Sequence, residues 1–242
     1  MRRHILIALL MLFSVSACAT GGGTVTLTVL GASSLTDVLP ELGAVYQRLH
    51  PDVTVRPTFG GSQELVADLQ GGQYADVLVT ADEPSMDTVA RSIRDRRDIA
   101  HNTLTIAVAP GNPLHILSVA DLAKPDVRVE VAAPNNPAGR YAQQIFAKAG
   151  VTVRPAGAEV DARSVLDQVR TGEADAGIVF LTDLRSAGAA ASGVGIPAAQ
   201  NVTATYPAAA LRRSHDGGAA KDFVDWLAGA QAQGVLRAAG FS

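Results

Sequence analysis

Four short segments carry residue types able to hold an anion without a cation: Ser33-Ser34, Gly61-Ser62, Pro137-Ala138-Gly139 and Asp161-Ala162-Arg163. Each stands where the pattern passes into a helix. The first N–H groups of a helix lack intrahelical partners and carry partial positive charge, which makes them a seat for an anion. Two of the four starts add a hydroxyl. Ser34 and Asp37 have the S-x-x-D spacing of a capping box, so Ser34 is expected to cap its own helix. A serine hydroxyl can accept from its helix and still donate to a ligand, so capping and binding are compatible. Four converging starts would form a cavity rich in donors and helix-dipole charge.

Catalytic chemistry lacks its signatures. Ser34 and Ser62 stand outside any G-x-S-x-G nucleophile elbow, and the chain has neither a P-loop nor a G-x-G-x-x-G opening a helix. The five histidines, at 4, 50, 101, 115 and 215, have no metal-ligand spacing. Asp76 and Asp82 could form a carboxylate pair, but strand ends commonly carry such residues, and that structural reading is preferred.

The elements that must position these residues follow from periodicity. Apolar runs at 24–30, 53–59, 75–82, 103–109, 127–132, 176–181 and 202–211 read as strands, with Pro207 placing the last at an edge or a bend. Helical patterns follow most of them: one carries Leu35, Leu39, Leu42, Val45 and Leu49, and another Leu65, Val66 and Leu69. Others run from about 140 to 149, after Asp161, and through 218–228 and 230–239, with Gly229 as a candidate break between the last two. Pro137 suits a first helical position, where the missing N–H costs nothing. The charged stretch from Arg91 to Asp98 reads as a solvated, self-paired surface, and 186–199 as loop. Strand, small-residue turn and helix in alternation is the α/β order that places ligands at the carboxyl ends of strands. With 242 residues, 48% of them hydrophobic, the chain can bury a large core in one domain or two. A formal charge of −3 without a basic block argues against nucleic acid as a partner.

The N-terminus reads as an export segment. Arg2 and Arg3 precede an apolar run from Ile5 to Phe13, too short to span a bilayer, and then Val15-Ser16-Ala17-Cys18. That tetrapeptide resembles a bacterial lipobox, which makes 1–17 a signal peptide, Cys18 the lipidated first residue, and 18–23 a flexible tether. The alternative is an unprocessed chain with a stray buried cysteine. Cys18 is the only cysteine, so no internal disulfide can form. Cleavage would remove two of the 20 Lys and Arg residues against 23 acidic ones, leaving a net charge of −5.

Taken in order, Ala32-Ser33-Ser34-Leu35-Thr36, Phe59-Gly60-Gly61-Ser62, Ala75-Asp76-Val77 through Ala81-Asp82 with Met86-Asp87, Pro137-Ala138-Gly139 with Tyr141-Ala142, and Gly177-Ile178-Val179-Phe180 resemble the periplasmic molybdate-binding proteins of ABC transporters. The resemblance implies a two-lobed α/β fold of the type II periplasmic binding protein class, each lobe a mixed sheet flanked by helices. It implies lobe 1 at 24–104 plus 203–242, lobe 2 at 105–202, and a molybdate or tungstate ion in the cleft without a counter-cation or cofactor. Ser34 and Ser62 would donate from hydroxyl and amide, and Ala138 and Ala162 from their amides. The family's tyrosine falls at Phe180, which has no hydroxyl; Thr182, Arg140 or water would complete the shell. The resemblance further implies a monomer anchored by lipid to the outer face of the bacterial cytoplasmic membrane, delivering its ion to a membrane permease.

The physical logic agrees. A fully deprotonated tetrahedral dianion needs donors on every oxygen, whereas a protonated phosphate would leave its own proton unpaired in a donor-only pocket. Fixed backbone donors cannot follow a smaller ion inward, which separates molybdate from sulfate. Two competing readings are a receptor for sulfate or another small anion, motivated by Phe180, and a serine-dependent enzyme, for which no base is evident.

Overall fold

A computed structural model describes residues 23–242. The expected signal peptide and Cys18 lie outside the described residues, as does most of the expected tether. Among the described residues no helix is long and apolar enough to cross a membrane.

Among the described residues nine strands form one mixed sheet: β1 (Val25–Ala32), β2 (Val53–Gly60), β3 (Val77–Val79), β4 (Ile93–Val108), β5 (Val129–Ala132), β6 (Gly157–Glu159), β7 (Ala176–Phe180), β8 (Ser192–Gly195) and β9 (Thr203–Leu211). Their spatial order is β2-β1-β3-β9-β4-β7-β5-β6, with β8 paired to β4. The helices are α1 (Val38–Leu49), α2 (Ser62–Gln70), α3 (Glu83–Thr88), α4 (Pro137–Ala149), α5 (Ala162–Thr171), α6 (Leu181–Ala187), α7 (Gly217–Leu227) and α8 (Ala230–Ala238).

Two parallel groups matter for the site. β1 pairs in parallel with β2 and β3, with Ala32 opposite Gly60 and Gly31 opposite Val79. Their carboxyl ends therefore leave the sheet along one edge, carrying Ser33-Ser34, Gly61-Ser62 and Ala81. In the other half, β5 lies parallel to β6 and β7, with Ala132 opposite Glu159. That register sends the segments to Asn136 and to Ala162, and Phe180 itself, toward a common edge.

β4 joins the halves. The 16-residue strand pairs with β9 through its first part and with β7 and β8 through its last. Its first residues form the charged surface expected around Arg91 to Asp98, with Arg94 beside Asp95 and Arg96 beside Asp98, but the stretch is a strand and its arginines also pair beyond it. Ile93 packs inward, and the arginines pair outward, Arg96 with Glu83 and Asp87 and Arg97 with Asp225. β9 is a central strand, not an edge. Pro207 is accommodated because β4 is irregular opposite it, between Asp98 and Ala100, where a missing ladder N–H costs least. The stretch 186–199 is also not simply loop, since β8 adds to β4; its glycines weakened the strand signal there.

Apolar side chains fill both faces of the sheet. Leu27, Val29, Leu39, Leu42, Ile106, Ile145, Val165, Ile178 and Phe223 belong to one continuous buried cluster. Burial of this kind supplies most of the stabilisation, at about 25 cal/mol per Å² of apolar surface.

Candidate functional site

Ser34 and Ser62 are both buried, and both hydroxyls are held from behind. Ser62 opens α2, and its Oγ accepts from the Ala81 backbone N–H at 3.0 Å. Ser34 lies in a short 3₁₀ turn, Ser33–Leu35, with its Oγ 2.8 Å from the Tyr206 hydroxyl. The capping box expected of Ser34 and Asp37 is absent. α1 begins at Val38, Ser34 turns to Tyr206, and Asp37 pairs with Arg163, so tertiary partners outcompete the local cap.

The helix starts of the other half are capped locally. The Asn136 side chain accepts the Ala138 N–H at 2.8 Å, and Pro137 occupies the first turn. Ala138, expected to offer its amide to a ligand, thus has that amide engaged, and Asn136 and Pro137 stand closer to the cavity. At α5, Asp161 accepts from Ser164 at 2.9 Å, and the Ala162 backbone N–H takes no part in that cap.

Ala32, Ser33, Ser34, Ser62, Ala81, Asn136, Pro137, Ala162 and Phe180 line one small, tight cavity. Four of the five expected site residues, Ser34, Ser62, Ala162 and Phe180, meet there. No lining residue carries a carboxylate. Among the described residues no group of three His, Cys, Asp or Glu side chains is placed to hold a metal ion.

The two residues expected to replace the missing hydroxyl are committed elsewhere. Thr182 Oγ1 accepts from Asn102 Nδ2 at 2.9 Å. Arg140 pairs with the buried Asp82, through Nε at 2.9 Å, and donates to Ser85 Oγ. Asp82 also caps α3, and Asp76 accepts from the Thr28 N–H and from the Tyr74 and Ser214 hydroxyls. The two aspartates are thus structural, as preferred above.

Asp183 lies behind the cavity wall. It is fully buried, accepts from Arg163 Nε at 2.7 Å, and among the described residues its Oδ2 has no partner. Burial pushes its carboxyl up to about 7, with Arg163 opposing. Burial, with a smaller contribution from Asp183, also pushes the Tyr206 phenol far above its ordinary value, so it stays a neutral hydroxyl.

Sequence reading missed Tyr206, Asn102, Ala81 and Asn136 as members of the site. The Asn136-Pro137 pair was the one legible signal, an Asx residue before a first-turn proline.

The model of a bacterial extracellular solute-binding protein matches residues 27–242. The chain belongs to that family. Among its relatives is the molybdate-binding protein ModA of Mycobacterium tuberculosis strain H37Rv, 34% identical over 91% of this chain and 85% of the relative. As a solute-binding protein it shares its fold with the periplasmic molybdate-binding protein of Azotobacter vinelandii. That likeness has a TM-score of 0.74 at 22% identity, covering 89% of this chain and 98% of the other. The sulfate-binding protein SubI of M. tuberculosis H37Rv is also similar, with a TM-score of 0.75 at 22% identity over 90% and 86% of the two chains. The family comprises substrate-binding transport proteins, and the chain is not an enzyme.

Proposed function

We propose that this solute-binding protein captures molybdate or tungstate as the fully deprotonated tetraoxo dianion and hands it to an ABC transporter permease. The carrying observation is the cavity's chemistry. Two serine hydroxyls reach it, each already receiving or facing a donor from behind, and no carboxylate lines it. Neutral dipoles replace the ion's hydration without burying a full opposite charge, whose desolvation would be costly. The relationship to ModA supports the choice of ion.

In this reading Ser34, Ser62, Ala162 and the Asn136–Ala138 turn hold the oxygens, and Phe180 is a dry wall. The lobes are 24–104 with 203–242 and 105–202, and β4 and β9 pass between them as a hinge. The protein is exported, anchored through lipid on Cys18, and acts as a monomer. Replacing Cys18 by serine would release it from the membrane fraction.

The test is ligand-induced stabilisation of protein freed of bound anion. Saturation at 100 times Kd raises the unfolding free energy by about 2.7 kcal/mol, visible as a thermal shift. No shift with molybdate or tungstate would reject the reading. A sulfate receptor is the second reading, favoured by the absent hydroxyl at Phe180. Sulfate displacing molybdate at comparable concentration would establish it.

A further inference from the structure

Tyr206, on the central strand β9, is fully buried and does not line the cavity, yet among the described residues its hydroxyl is the one hydrogen-bond partner of the Ser34 side chain, at 2.8 Å. Geometry alone leaves open which oxygen donates. The next residue back decides it. Asn102, buried on β4, accepts the Thr103 N–H on Oδ1 at 2.9 Å, which fixes the orientation of its amide. Its Nδ2 faces Thr182 Oγ1 at 2.9 Å and the Tyr206 oxygen at 3.4 Å. An amide nitrogen donates and cannot accept. The phenol proton therefore cannot point at Asn102, and Ser34 Oγ is the acceptor within reach.

We infer that Tyr206 is a positioning residue for the anion: oriented by Asn102, it donates to Ser34 Oγ and so turns the Ser34 proton outward into the cavity. Ser62 obeys the same rule by a shorter route, since the Ala81 backbone N–H donates to its Oγ. Both hydroxyls are then fixed as donors before a ligand arrives, and neither spends binding energy on reorientation. The ring stays in place through edge contacts with Phe180 and Phe241, at centroid distances of 5.8 and 5.3 Å. The hydroxyl absent at Phe180 is thus met by one on a neighbouring ring that acts through Ser34 instead of touching the ion. High phenol acidity is suppressed by burial, which keeps the proton available for donation.

This inference rests on the anion-binding reading above, and the experiment separates the two. Wild type is titrated by calorimetry with molybdate, tungstate and sulfate, and the tightest binder is carried through Tyr206→Phe, Ser34→Ala and the double variant. Tyr206→Phe is expected to weaken binding up to about tenfold, because the Ser34 hydroxyl that bonds the charged ion is no longer held as a donor. The double variant is expected to bind like Ser34→Ala alone, because Tyr206 acts through Ser34. Unchanged affinity in Tyr206→Phe, or losses that multiply in the double variant, would overturn the relay while leaving anion binding intact. Failure of wild type to bind any of the three anions would overturn the functional reading, and the relay with it. Should Tyr206→Phe not fold, Asn102→Leu removes the orienting donor at similar volume. Its effect should be smaller than that of Ser34→Ala and absent in a Ser34→Ala background; an equal loss in both backgrounds refutes the relay.

Discussion

Ser62 does two jobs with one oxygen, and both are lost together in Ser62→Ala. The Ala81 N–H would remain buried without an acceptor, which costs about 1–3 kcal/mol. For a domain of this size each kcal/mol moves Tm by about 2–4 °C, so ligand-free Ser62→Ala should melt several degrees lower. Its anion affinity should fall at least tenfold, and calorimetry beside thermal unfolding would resolve the two effects. Asp183 gives a second prediction at this scale. Its folded carboxyl stands near 7 against about 3.9 in the unfolded chain. The native state therefore holds a proton that the unfolded state releases. The contribution is fully present below about pH 4 and is lost as pH rises through about 7, with a slope of at most about 1.4 kcal/mol per pH unit. Asp175 and Asp225, lowered by Arg128 and Lys221, titrate below that window and do not mask it. The stability of wild type should thus fall from pH 5 to 8, and Asp183→Asn, which keeps an acceptor for Arg163, should flatten the curve. Parallel pH curves for the two proteins would contradict this.

Among the elements, α4 is the one seated with least tolerance. A Cβ added at Gly139 would meet the Ala133 carbonyl oxygen at 2.1 Å and that of Ala132 at 2.4 Å. Both are backbone atoms at the end of β5, so the helix itself must move. Gly139→Ala should cost about 1–3 kcal/mol or more. It should also weaken anion binding, because Asn136 and Pro137 shift with the helix; a circular-dichroism melt and a titration of the same sample would check it. That glycine was visible in the sequence, but its reason was not, since the carbonyls it avoids belong to another element. The same division runs through the fold. The strand-to-helix turns at Ser34 and Ser62 were legible because small residues after β-branched runs mark them, whereas at Ala162 only the capping Asp161 was legible and the short strand β6 before it was not. The start of α4 was legible from Pro137. The length of β4 was hidden by Arg94 to Asp98, charges that a bulged strand carries outward. The central place of β9 was hidden by Pro207. At the site, Ser34 was found but its partner was not, because Tyr206 lies 172 positions away and only strand pairing brings it near.

At the scale of the whole molecule, polar contacts of different strength join the two halves, and three of them differ most in burial. Gln63 exchanges hydrogen bonds with Asn136 and with the Val160 carbonyl, at 3.0 Å each. Arg140 reaches Asp82, whose side chain is 1% exposed, and Arg163 reaches Asp37, whose side chain is 60% exposed. Removing Arg140 would strand a buried charge and destabilise the protein as a whole, so that tie is a poor probe of closure. Asp37 is a clean one. An exposed ion pair is worth about 0.2–1 kcal/mol and is screened by salt. If the ion lies between the halves, it leaves only after such ties break, and it enters before they form. The pair then acts on dissociation and not on association. Asp37→Ala should raise the dissociation rate about twofold to fivefold with the association rate unchanged, measured by stopped-flow displacement of bound anion at low ionic strength. At 1 M salt, where the Debye length is about 3 Å, wild type and variant should converge. Equal dissociation rates at low salt would mean that the Asp37–Arg163 contact stays closed, or never forms, while the ion departs.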